Sequence, residues 1–201
     1  MIEDCTAVIL AGGDSLRMGQ DKANLVLGGQ TLLQTVSENM GQLFPRVLVS
    51  VRQPRDETDL PQVSDGMKDG GPLAGLAAAL AQADTSWVFA VACDMPFVAS
   101  RVVEYLWQQR GECQAVVPVV GGQPQPLAAF YARACSGAIS EILASQGKHS
   151  LRALLERLDV CYVDEAQLLD IDPQLRSFFD LDTPQDVAAV LNGVRRWSIC
   201  L

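Results

Sequence analysis

The residues best suited to chemistry lie in Leu10-Ala11-Gly12-Gly13-Asp14-Ser15-Leu16-Arg17-Met18-Gly19-Gln20-Asp21-Lys22, directly after the apolar run Cys5–Leu10. Glycines just past a buried strand let main-chain N–H groups approach an anion without an intervening Cβ. Arg17 and Lys22 add positive charge, so the stretch suits a phosphate-rich ligand. It is not the phosphate loop G-x-x-x-x-G-K-[ST], because Ala23 follows Lys22, and no G-x-G-x-x-G is present. A second focus is Cys93-Asp94-Met95-Pro96, which ends a run of Val and Ala with an acid. A carboxylate there is fixed in aim at a sheet edge and suits Mg²⁺, which binds through one or two carboxylates and completes its shell with water and phosphate oxygens. The plainer reading, a turn made with Pro96, uses the same residues. Transfer of a phosphoryl-type group is chiefly positioning and charge stabilisation. Arg17, Lys22 and Asp94 are therefore the candidate catalytic residues, Asp94 the candidate metal ligand, and Cys93 is not needed as a nucleophile.

These residues must be held by a frame. Cys5–Leu10, Arg46–Val51, Trp87–Ala92 and Ala115–Val119 read as strands, each followed by a loop and usually a helix, which predicts a mostly parallel sheet. Thr31-Leu32-Leu33-Gln34 fits a capping box opening a helix to about Gln42. Gly71-Pro72 precedes an Ala/Leu-rich helix over Leu73–Ala83, with Pro72 suited to its first turn. Ser100 is placed to cap a helix reaching Arg110. Leu151, Leu154, Leu155 and Leu158 recur at helical spacing and predict a face packed on the core. Phe178 to Asp186 reads as a short apolar strand feeding a helix capped by Thr183 with Pro184 at its first position. Arg52 to Gly71 is long and polar and reads as a functional loop; Gly121 to Pro126 reads as a rigid, proline-marked loop on the acceptor side. The expectation is a single Rossmann-like, three-layer α/β domain, its core spanning about residues 4–192 before a short tail. In such sheets ligands lie beyond the carboxyl ends of the strands. That brings Ser50, Arg52 and Asp65 into the same neighbourhood as the Gly-rich stretch and Asp94.

With 201 residues, 49% apolar and 19% charged, the chain has enough apolar material for a core and too little charge for disorder. The net charge of −9 argues against general nucleic-acid binding. No apolar run reaches the roughly 18 residues needed to span a bilayer, and the acidic start does not resemble a signal peptide; a cytoplasmic location is the expectation. Six cysteines without a C-x-x-C pair read mostly as small core residues.

Four segments in order resemble the molybdenum cofactor guanylyltransferases. L-A-G-G-x(3)-R-M-G-x-D-K matches Leu10 to Lys22, G-P-L-A-G matches Gly71 to Gly75, C-D-x-P matches Cys93 to Pro96, and the terminal N-x-N-T-P element corresponds to Asp180-Leu181-Asp182-Thr183-Pro184. The resemblance implies a nucleotide-diphospho-sugar-transferase-like fold and transfer of GMP from GTP to molybdopterin with release of pyrophosphate. It implies that Leu10, Ala11, Gly12 and Gly13 line the nucleotide, Lys22 its phosphates, Asp65 its nucleoside, and Asp94 both nucleotide and Mg²⁺. Ser50 stands where the pattern has asparagine, leaving the choice of base open between guanylyl and cytidylyl transfer. Asp180 and Asp182 stand on the acceptor side where asparagines are frequent, so an anionic acceptor would be repelled unless a metal or a basic group intervenes. GTP and molybdopterin are the implied substrates, and molybdenum-cofactor enzymes the implied transient partners. Other small nucleotidylyltransferases and a non-catalytic GTP-binding regulator use related residues.

Overall fold

Cys5 to Leu10 are buried without exception and form β1, the strand from which the fold is organised. The computed structural model describes residues 1–12, 21–64, 67 and 70–191. Gly13, Arg17 and Asp65 lie outside the described residues. After β1 come a 3-10 turn at Lys22–Asn24, the hairpin strands β2 (Val26–Leu27) and β3 (Gln30–Thr31), and helix α1 (Leu32–Leu43). Strands β4 (Val47–Val51) and β5 (Gln62–Ser64), helix α2 (Gly71–Gln82), strand β6 (Trp87–Ala92) and helix α3 (Ser100–Gln108) follow. The second half supplies β7 (Ala115–Val120), β8 (Gln123–Pro124), β9 (Ala128–Ala132), α4 (Ser136–Ala144), α5 (Leu151–Leu155), β10 (Val160–Val163), α6 (Glu165–Leu169) and α7 (Pro184–Leu191).

The main sheet runs β10-β7-β9-β6-β1-β4-β5, with β8 paired to β7. Pairings β1/β4, β1/β6, β4/β5 and β7/β10 are parallel, whereas β9 runs antiparallel between β6 and β7. Alternation along β1 sends Ala7 and Ile9 to one face, packed with Leu33, Val36 and Met40 of α1 and Val102, Val103 and Leu106 of α3. Val8 and Leu10 go to the other, with Leu73, Leu76 and Leu80 of α2 and Ile139 and Ile142 of α4. The result is the expected three-layer, mostly parallel α/β arrangement. A smaller cluster of Leu32, Leu181 and Val187 attaches the late segment beside the start of α1. Among the described residues, no helix is long and apolar enough to cross a membrane.

Local expectations hold where short-range chemistry decides. Thr31 and Gln34 form the capping box of α1, with the Gln34 N–H donating to Thr31 Oγ1 at 3.1 Å. Thr183 and Asp186 do the same for α7, as expected of Thr183. Five differences stand out. The cap of α3 is Ala99, whose N–H donates to Ser177 Oγ at 3.0 Å; Ser100 is already helical. Helix α5 ends at Leu155, leaving Leu158 beyond it but still packed on the core. The apolar residues around Phe178 form a 3-10 turn over Arg176–Phe178 instead of a strand, with Phe178 buried in the main core and Phe179 packed on the smaller cluster. The stretch Arg52 to Gly71 contains β5, whose backbone pairs with β4 despite its polar sequence. Gly121 and Gly122, both with positive φ, make the turn between β7 and β8, so the stretch read as a loop is the tip of a hairpin.

Candidate active site

Strand β1 lies between β4 and β6, and the chain reaches β4 and β5 on one side before α2 carries it across to β6 on the other. This is the point where strand order reverses, the place beyond the carboxyl ends where open α/β sheets bind their ligands. Three strand ends are tied together: the Ala11 N–H donates to the Ser50 carbonyl at 2.9 Å, and the Cys93 N–H donates to the Leu10 carbonyl at 3.2 Å. The residues just past β1 and β6 are thereby fixed side by side.

Lys22 enters on its 3-10 turn. Asp21 caps this turn, its Oδ1 accepting the Ala23 N–H at 3.1 Å, and Ala23 is fully buried. The turn continues into the tight β2–β3 hairpin, whose Gly28 and Gly29 both have positive φ, and the Leu32 N–H donates back to the Leu25 carbonyl at 2.8 Å. Lys22 Nζ then donates to Asp94 Oδ2 at 3.1 Å and to Asp182 Oδ1. Asp182 is brought in by its neighbour: Leu181 is fully buried, and its N–H donates to the Asp94 carbonyl at 2.9 Å. Residues 72 and 160 positions apart from Lys22 thus share one ammonium.

Asp94 is nearly enclosed, its side chain 14% exposed, and loss of hydration raises its carboxyl above the ordinary range, with Lys22 pulling the other way. Desolvation pulls the Lys22 ammonium down, but the hydrogen bond to Asp182 and the charge of Asp94 outweigh it and hold it above its usual value. Asp180 keeps contact with solvent, yet desolvation together with Asp94 and Asp182 pushes its carboxyl up to about 7. Of the two late acids, Asp182 pairs with Lys22, whereas at Asp180 the charge of Lys22 only partly offsets desolvation and the neighbouring carboxylates. Burial pushes the Cys93 thiol up to about 12, which leaves it unionised at neutral pH, in keeping with no nucleophilic role.

Of the sequence candidates, Lys22, Asp94 and Asp182 converge directly. Leu10 and Ala11 sit at the rim with buried side chains, and both the N–H and C=O of Ala11 are already engaged. Gly12 follows with no left-handed backbone, and an added Cβ would lie 3.6 Å from Arg52, an ordinary contact. Ser50 is 3% exposed and faces Gly75 of α2, where a Cβ would come within 2.5 Å of its hydroxyl. Sequence reading missed Arg55, whose guanidinium, 13% exposed, holds the Ala11 carbonyl and the Asp21 carboxylate. No local pattern marks it, since its partners are 44 and 34 positions away.

A lysine shared between two carboxylates beyond the strand ends of a mostly parallel sheet is the setting, and the family match makes the chain an α/β nucleotidyltransferase. The chain belongs to the family described as the MobA-like NTP transferase domain, which matches residues 7–161. It is 36% identical over 185 residues to a molybdenum cofactor guanylyltransferase of Syntrophotalea carbinolica, covering 90% of this chain and 88% of that protein. It is 34% identical to a molybdenum cofactor guanylyltransferase of Serratia proteamaculans, covering 92% and 93% of the two chains. Among solved structures it resembles molybdopterin-guanine dinucleotide biosynthesis protein A from Archaeoglobus fulgidus, with TM-score 0.80, 28% identity, and 94% and 100% coverage.

Proposed function

We propose that the protein transfers GMP from GTP to molybdopterin, forming the guanine dinucleotide and releasing pyrophosphate. The observation that carries this reading is the meeting of Lys22 Nζ with Asp94 at 3.1 Å at the switch point of a chain with guanylyltransferase relatives. A terminal phosphate oxygen of the acceptor attacks the α-phosphorus, the new P–O bond forms, and the bond to the bridging oxygen breaks with its electron pair leaving on pyrophosphate. Negative charge grows on the α,β-bridging oxygen, and a fixed ammonium near it lowers the barrier. Lys22 supplies that charge once triphosphate oxygens replace one of its carboxylate partners. Asp94 and Asp182 converge on a single cationic group, so the place tolerates concentrated positive charge, and their hard oxygens fit Mg²⁺. Bound there, Mg²⁺ would neutralise phosphate charge and orient the triphosphate; Asp94 is the residue to hold it, with Asp182 beside it. Main-chain groups after β1, including those of Gly12 and Gly13, and the side chain of Asp65 complete the proposed nucleotide contacts, and Arg17 adds a second cation for the reacting phosphates. Ser50, closed under α2, supports these strand ends from beneath.

The test is pyrophosphate release by purified protein supplied with molybdopterin, Mg²⁺ and, in separate reactions, GTP, CTP, ATP or UTP. Release with GTP well above the other three is expected. A preference for CTP would reassign the protein to cytidylyl transfer, and tight GTP binding with no release would make it a regulator.

A further inference from the structure

We propose that Arg55 is a positioning residue that fixes Lys22 and the end of β1 in a common frame for the triphosphate; this rests on the nucleotidyl-transfer reading above. Arg55 Nη2 donates to the Ala11 carbonyl at 3.2 Å and to Asp21 Oδ2. Ala11 and Asp21 stand at the two ends of the Gly-rich stretch in sequence, so one guanidinium ties its beginning to its end. Asp21 is also the cap of the turn that starts with Lys22, through its other oxygen on the Ala23 N–H. Arg55 is itself held: its N–H donates to Gln62 Oε1 at 2.8 Å, and Gln62 Nε2 donates to the Arg55 carbonyl at 2.7 Å, anchoring it to β5. A continuous chain of hydrogen bonds therefore runs from the sheet edge through Arg55 and Asp21 to the turn bearing Lys22.

The residue type matters. A guanidinium presents several donors in a rigid planar fork and can hold a carbonyl and a carboxylate together, whereas an ammonium on a flexible stem acts as a point charge. Arg55 remains bound to protein acceptors, so its effect on transfer passes through the placement of Lys22. Displacements of about 1 Å at a reacting centre cost on the order of 100-fold in rate.

Steady-state GMP transfer and amide hydrogen exchange would be measured for the parent protein, Arg55→Ala, Arg55→Lys, Asp21→Asn and the double variant Arg55→Ala/Asp21→Asn, with Arg157→Ala as a surface-pair control. Arg55→Ala is expected to lower kcat/KM about 30-fold and to speed exchange at the Ala23 amide at least about tenfold, with the Gln34 amide of the α1 cap unchanged. Arg55→Lys should recover only part of the loss, and the double variant should lose little more than Arg55→Ala alone, because both changes cut one chain. Full activity in Arg55→Lys, multiplied losses in the double variant, or an unchanged Ala23 amide would overturn the proposal. If the parent protein transfers no nucleotide, the functional reading fails, and the exchange data alone decide whether Arg55 holds the turn of Lys22.

Discussion

The rim beyond β1 and the opening turns of α2 both carry glycines that belong to recognisable motifs, but they use them in opposite ways. At Gly12 the backbone has no special conformation and a methyl group would meet only ordinary contacts at 3.6 Å, so the fold has no need of a glycine there. At Gly75 a Cβ would lie 2.5 Å from Ser50 Oγ and 2.8 Å from Leu10 Cδ2, so α2 can reach β1 and β4 only because that side chain is absent. Motif glycines thus divide into one that the packing does not require, which the proposed function assigns to the nucleotide, and one consumed by packing. The same division runs through the polar residues: Asp94, Lys22 and Asp182 are partly exposed and shared, whereas Ser50 is closed off.

This contrast breaks if rim substitutions unfold the protein or if packing substitutions act on catalysis directly. The largest effect is expected for Asp94→Asn: a loss of roughly 1,000-fold in kcat with a melting temperature within about 2 °C of the parent, checked by transfer assays and thermal melts. Gly75→Ala should behave in the reverse sense, costing about 2 kcal/mol, or roughly 4–8 °C, while the fraction that remains folded keeps its kcat. Ser50→Ala in the same chain should recover part of that stability by removing the crowded hydroxyl. Gly12→Ala should leave stability within about 0.5 kcal/mol and raise KM for GTP about tenfold, as one methyl group displaces a close backbone approach; a melting loss equal to that of Gly75→Ala would erase the distinction.

The smallest effect concerns pH. Asp180 is held at about 7 in the folded chain, above its ordinary 3.8. Between those values the folded protein keeps the proton that the unfolded chain has released, so this group favours folding fully at low pH and less as pH climbs toward 7. Asp180→Asn should therefore melt progressively higher than the parent as pH rises from 4 to 8, with little difference at the acid end. Parallel melting curves would show that the rim carries no such electrostatic cost.

Strands and caps were legible because they depend on near neighbours: β1 and β6 have the bounds that their apolar runs predict, and the Thr31–Gln34 box forms as its spacing requires. Asp94 could be singled out because an acid ending a buried strand has few places to point. Three things escaped. Ala128–Ala132 is a short apolar run that periodicity alone does not separate from helix, and it becomes β9 only because β6 and β7 leave a slot between them. The polar run Gln62–Ser64 becomes β5 through backbone pairing with β4, which side-chain pattern does not report. Arg55 reads in sequence as one more solvated cation, and its role exists only once the ends of the Gly-rich stretch are brought together in space.

The bond from the Leu181 N–H to the Asp94 carbonyl carries a practical consequence. The family match stops at residue 161, inviting a gene trimmed to that boundary. Such a shortened polypeptide would retain the glycines, Lys22 and Asp94, and the family match would still cover it in full. It would nevertheless lack the peptide link that clasps the mid-chain acid from behind, together with the second carboxylate on the lysine.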